Sequence, residues 1–540
     1  VLCGAAYLFI TSNNIVIGPN GIAFNPTKTP TPTVTLTPTP GSTPTPSVTP
    51  RVAPRASATI PPLAPTADVY SPEATDIYPA IFEAPLKNAV NLLESGSPDT
   101  ALPTLEAERV NTAARFNPNP YYYEALAQAQ LGNIEGALRT LEDGEARLEE
   151  APNDNYKPLI DAGFAAIYVM EAETALKSGD RQEAQDFLDQ AQERSESAVA
   201  GDPRLAAGHI LQARTLSLNG DFEGALEALD AGLAVPDLSY DTNLIVEKAR
   251  VLMENGDYQE AADEAAFILY LDPTVELAYQ IQAEAALKEN KPGLAVLLLQ
   301  GYRLYYPGST YAYRLLGDAR AAEGNLDLAV EAYTRALSAE QDPATTLAAY
   351  VGRAGVYSRQ HLYDLALDDY SEALKLGADD MVLFERMQTA YLAQDYATVL
   401  RDAQSLADSD DVPAAEIAVL RARALVEQAE AEGSTLTDDD LALVRNGLPT
   451  NNAATRATAD EYLARAYFLR DEYRDALTAI DAAIEGGDTA IRHYVRGLIL
   501  EAQGERNEAV REYEWVLTWS TLYSFPQRAD VESRLEDLRR

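Results

Sequence analysis

A short block containing Gly, then Asp, Asn or Glu, then Ala four residues further on returns along this chain at the spacing of a helical pair. Five copies show it plainly: SGDRQEA at Ser178 to Ala184, NGDFEGA at Asn219 to Ala225, NGDYQEA at Asn255 to Ala261, EGNLDLA at Glu323 to Ala329 and QGERNEA at Gln503 to Ala509. With the alanine as marker the series is Ala101, Ala137, Ala184, Ala225, Ala261, Ala295, Ala329, Ala366, Ala476 and Ala509, at intervals of 36, 47, 41, 36, 34, 34, 37, 110 and 33. A period near 34 residues is one helical hairpin. A lone hairpin cannot bury its own apolar face, so such units stack side by side. This excludes one compact core for 540 residues and predicts an all-α solenoid.

The stretch Ser309 to Pro343 gives the clearest unit. Tyr313, Leu316, Gly317 and Ala321 follow helical spacing, Gly324 and Asn325 break the helix, and Ala329, Tyr333 and Ala336 resume it before Pro343. A small residue recurs in the middle of each first helix: Ala89, Ala125, Ala172, Ala213, Ala249, Ala283, Gly317, Ala354, Ala464 and Gly497. Tyr121, Tyr168, Tyr279, Tyr313 and Tyr350 each stand four residues before one of them.

This pattern resembles the tetratricopeptide repeat over about residues 79 to 526, with Tyr where the family prefers Trp. The resemblance implies a right-handed superhelical solenoid of about 11 to 12 antiparallel helix hairpins. Regular repeats are expected over 79–400, a degenerate repeat or hinge over 401–456, a C-terminal pair over 457–526 and a capping helix over 527–540. Val531, Leu535 and Leu538 give that last helix its apolar side, with Trp515 and Trp519 expected beneath it. Within the long interval, QDYATVL at Gln394 to Leu400 reads as a turn and second helix with Val399 in the alanine place. A further unit is expected from Ala414 to Asn446, its second helix capped by Thr437.

Composition changes sharply ahead of the repeats. Pro26 to Pro65 holds 12 prolines and 11 threonines in 40 residues, which reads as an extended linker, so 13–70 is expected to be a spacer. The opening VLCGAAYLFI is apolar but short, and 1–12 reads as the end of a transmembrane or signal segment, with a short buried strand as the other reading. Cys3 follows Leu2 and not a small residue, which argues against lipoprotein processing. With the Thr/Pro stalk, these features lead to the expectation of a bacterial, single-pass, membrane-anchored protein whose repeats lie outside the cell membrane.

Residues 71–540 carry 39 basic and 83 acidic side chains, a net charge of −44. Nucleic acid is excluded as an expected partner, because its binding depends on neutralising phosphates. The histidines His209, His361 and His493 are far apart in the repeat series. The acidic runs Asp408, Asp410, Asp411 and Asp438 to Asp440 lack the framework of a calcium loop. No phosphate-binding glycine loop or nucleophile elbow is present. The expectation is therefore a non-enzymatic chain without metal or cofactor, which binds a protein or peptide.

One ladder stands out within that reading. Immediately after the small mid-helix position, successive units carry Arg214, Arg250, Glu284 and Asp318, joined by Tyr311 and Arg314. The resemblance places this face of the first helices on the concave side of the superhelix, where partner segments lie. The same side chains are also placed to pair with one another between neighbouring repeats. A cell-envelope spacer, or the non-catalytic sensory part of a longer polypeptide, remains open beside the adaptor reading.

Overall fold

The computed structural model describes residues 15–18, 21–24, 84–94, 96–111, 117–150, 156–338, 342–519 and 525–540. The expected segment 1–12 and nearly all of the expected spacer 13–70 lie outside these. Ile15–Gly18 and Gly21–Phe24 form one antiparallel two-stranded hairpin, with Ile15 opposite Phe24 and Gly18 opposite Gly21. The linker reading had not anticipated it.

Among the described residues everything else regular is helical, with a one-turn 3-10 segment at Pro236–Leu238. Among the described residues twenty-five α-helices follow from Ala84–Glu94 to Arg528–Arg539, in sequence order twelve pairs and a final single helix. The fold is an all-α repeat solenoid. Its helices fall into two compact units, one ending at Asn325 and the other beginning at Leu326.

The recurring block is one piece of geometry. Gly220 (φ 81°) and Gly256 (φ 93°) turn the chain through the left-handed region that glycine enters without a Cβ penalty. In several turns the next residue caps the second helix through its side chain, although Asp257 after Gly256 does not. Asp180 accepts from the Glu183 N–H at 3.0 Å, Asp221 from Gly224 at 3.0 Å and Asp395 from Thr398 at 3.1 Å. The marker alanine then donates the first backbone bond of the helix to the carbonyl of the capping residue, as Ala225 does to Asp221 at 3.1 Å and Ala261 to Asp257 at 3.0 Å. Turn, cap and marker are locked together, which is why they keep register in sequence.

The small residues are small because helices meet there. Nine of the ten marker alanines are fully buried and Ala184 is 1% exposed; the mid-helix alanines are buried as completely. A Cβ added at Gly497 would stand 2.4 Å from the Tyr513 ring, so that tyrosine fills the space which the glycine leaves. Each core is shared with the next pair. Ile245, Ala249 and Leu252 of helix Thr242–Asn255 meet Ala261, Ala265 and Ile268 of helix Tyr258–Leu271, together with Ala278 and Ile281 of the following helix Glu276–Lys288.

Helical pairs continue through the interval where the marker alanine was missing. Helices Asp380–Leu392 and Tyr396–Ser405 are followed by Ala414–Glu432 and Asp438–Gly447. Val399 and Leu441 donate to the capping carbonyls of Asp395 and Thr437, so they occupy the alanine place. Thr437 caps its helix reciprocally with Asp440, as its position before the Asp run implied. At the C-terminal end, Val531 and Leu535 of the last helix pack with Tyr513, Val516 and Phe525. Trp515 lies against this cluster, but Trp519 remains 49% exposed and does not pack beneath the helix as expected.

Candidate functional site

Between Ala206 and Ala322, first helices of successive pairs touch one another directly. Ala206–Leu218 meets Thr242–Asn255, which meets Glu276–Lys288, which meets Thr310–Ala322. The ladder residues project from this row and form two clusters.

In the first, Arg214 donates through Nε to Glu173 at 2.8 Å, and its Nη1 stands 3.9 Å from Glu247. Arg250 donates through Nε to the same Glu247 at 3.0 Å, through its other nitrogens to Glu247 and Glu254, and Ser217 donates to Glu254. Three carboxylates thus enclose two guanidinium groups. Burial opposes the charge on Arg250, but hydrogen bonding to Glu247 and the surrounding carboxylates outweigh it and hold the guanidinium above its ordinary pKa.

In the second, Arg314 donates to Asp318 at 2.8 Å and lies 4.5 Å above the Tyr311 ring, with Glu284 3.9 Å from its Nη2. The Tyr311 hydroxyl donates to Glu284. Burial is the largest cause that raises the Tyr311 phenol, and the Glu284 charge adds to it. The structure thus brings Arg214 near Arg250 through Glu247, and Glu284, Tyr311, Arg314 and Asp318 near one another. Arg214 is about a third exposed, so its pair with Glu173 adds only about 0 to 1 kcal/mol. The cations of the ladder are already matched by carboxylates of the chain itself.

A second regularity escaped the sequence reading. A basic residue in a first helix pairs with an acid sixteen positions later in the second: Lys248 with Glu264 at 3.0 Å, Arg353 with Asp369 at 2.7 Å and Arg386 with Asp402 at 2.7 Å. Arg496 makes the same step to Glu512. Arg386 and Arg353 are bidentate to their partners. The constant separation was the available signal, because the acid always lies three residues beyond the alanine place.

The histidines serve the packing. His209 is held between the carbonyls of Ala228 (3.2 Å) and Pro203 (3.0 Å), and His493 bonds Glu512 at 2.6 Å while stacking on Trp515 at 3.7 Å. His361 lies in a turn with a φ of 61°. Among the described residues no helix is long and apolar enough to cross a membrane.

Three segments match the sequence profile of the tetratricopeptide repeat: residues 118–143, 206–231 and 310–343. Among solved structures, the chain is similar to a thermophilic repeat protein of this kind from Thermus thermophilus, at 24% identity over 38% of this chain and 97% of that one (TM-score 0.32). It is also similar to MamA from Desulfovibrio magneticus RS-1, at 20% identity over 31% and 92% (TM-score 0.27). A third similar structure, the Cut9–Hcn1 assembly of the APC/C, gives 12% identity over 84% and 96% (TM-score 0.31). A comparison with curated proteins finds no match.

Proposed function

Given that the chain is a tetratricopeptide-repeat protein, we propose that it is an interaction scaffold whose row of first helices receives a segment of a partner protein. The observation that carries this reading is the row itself. The apolar hairpin cores are built from alanine, aliphatic residues and tyrosine, while the first-helix row carries the charged side chains Arg214, Arg250, Glu284 and Asp318, which those clusters do not include. The acidic excess of residues 71–540 favours a partner with exposed basic groups. We further propose that the repeats lie outside the cell membrane, tethered through the N-terminal apolar segment and the Thr/Pro stretch. Cleavage of the repeats by protease added to intact cells supports this location, and protection until lysis contradicts it.

The ion pairing of Arg214 and Arg250 favours a second reading, an envelope spacer that uses these side chains only to join repeats. An array of peptides from envelope proteins separates the two. Binding that falls at least tenfold in an Arg214→Ala, Arg250→Ala double variant supports the ladder as a contact surface; undiminished binding assigns the ladder to structure alone.

A further inference from the structure

Resting on the scaffold reading, we propose that Arg423 is the anchoring cation of a site for a glutamate side chain on the partner protein. Among the described residues three arginines are less than a tenth exposed: Arg314, Arg423 and Arg492. Arg314 is paired with Asp318 at 2.8 Å. Arg492 is paired with Glu461 at 3.0 Å and donates to the carbonyls of Ala483 and Gly487. Arg423, 8% exposed, makes neither an ion pair nor a hydrogen bond within the described structure. Its Nε is sealed from solvent without an acceptor, and its one aromatic contact is the Tyr462 ring at 5.7 Å.

The neighbouring carboxylates explain this isolation. Glu427 stands one helical turn from Arg423, where an i,i+4 pair is ordinarily made. Its carboxylate instead accepts the hydroxyls of Tyr391 at 3.0 Å and Tyr462 at 2.6 Å. Glu430 is bound by Arg465 at 2.8 Å, and Glu461 by Arg492. Glu427, Glu430 and Glu461 are each hydrogen-bonded to another group, and none accepts a hydrogen bond from Arg423.

An arginine has no escape by losing its proton, and a nearly buried guanidinium whose donors meet no acceptor is costly. The guanidinium fork matches a carboxylate in bidentate geometry. Helix Ala414–Glu432, which carries Arg423, lies between Asp380–Leu392 and Ala453–Leu469 in the first-helix row of its unit, on the face where the partner is proposed to run. Of its side-chain nitrogens only the Nε is both sealed and unpartnered, so the two terminal nitrogens point where a ligand can reach. The site is recessed. An acid that reaches it must stand off its own backbone on methylene groups, as glutamate does and a chain terminus does not. A doubly charged phosphate meets stronger repulsion from Glu427, Glu430 and Glu461 than one carboxylate does.

The test uses the full chain, labelled with nitrogen-15 at arginine, with the Arg423 Nε resonance assigned by its disappearance in Arg423→Gln. The probes are N-acetylglutamate α-amide, its glutamine counterpart, N-acetylglycine and inorganic phosphate, all at constant ionic strength. The expected result is a saturable shift of the Arg423 resonance with the glutamate probe, at least tenfold weaker with each of the others. No saturable shift, or an equal response to any of the other three probes, overturns the proposal. Failure of the titration while a partner is still captured along the first helices removes this site alone, whereas failure to capture any partner counts against the scaffold reading.

Discussion

Gln394 shows how much of the architecture depends on single backbone positions. Except before helix Asp438–Gly447, the residue ahead of the cap of each second helix turns left-handed, and in four turns it is not glycine: Asn290 (φ 57°), His361 (φ 61°), Gln394 (φ 62°) and Asp471 (φ 60°). A side chain there costs about 1 to 2 kcal/mol, partly offset because glycine leaves the unfolded chain freer. Gln394 is exposed, so Gln394→Gly should stabilise the protein by about 0.5 to 1 kcal/mol in denaturant titration. Glu385 has a different kind of single-residue effect. Burial pushes its carboxyl up from an ordinary 4.5 to about 7; the Tyr370 hydroxyl opposes the rise, and the Asp379 charge adds to it. Between these values the folded state holds the proton more tightly than the unfolded state. This group's contribution to stability therefore falls as pH rises from 4.5 to about 7. Unfolding measured across that window should show a flatter pH slope for Glu385→Gln; an unchanged slope assigns the dependence elsewhere.

Helical pairs were legible where backbone geometry dictated residue type and illegible where side-chain volume was free to vary. The turn–cap–alanine block marks ten units because the left-handed turn, the capping acceptor and the close helix approach each restrict the choice. In the interval between Ala366 and Ala476 the approach is made with larger groups, Val399 and Leu441 in the second helices and fully buried Met387 and Val426 in the first. Ser434, Thr435 and Leu436 also lengthen the loop after the left-handed Gly433, with Leu436 buried in compensation. The pairing of Arg386 with Asp402 was missed for the opposite reason: its spacing was regular, but a charged pair inside a hairpin lacks an apolar signature. Asp402 is 1% exposed, so Asp402→Asn leaves Arg386 short of its counter-charge and should cost about 3 to 5 kcal/mol by urea titration. The double change Arg386→Met, Asp402→Leu should recover most of that loss.

Across the whole molecule, fold and partner are separate questions. Alanines, turns and caps specify the stack. The candidate ladder was found by its spacing, yet the sequence alone left open whether Arg214 and Arg250 met a partner or each other's neighbours, because a spacing does not say which carboxylate lies within 3 Å. Arg423 went unnoticed in sequence for the same reason: its isolation depends on Glu427, Glu430 and Glu461 being occupied by groups from other helices.

The central claim, that a partner protein runs along the first helices, is tested most directly by site-specific photocrosslinking in intact source cells. A photoreactive residue replaces Glu284 or Tyr391 in the first-helix rows, or Asp263 on an exposed second-helix position, and the products are identified by mass spectrometry. The account predicts the same discrete partner from both first-helix positions and little or none from Asp263. Equal labelling from all three, or diffuse labelling without a discrete product, contradicts it.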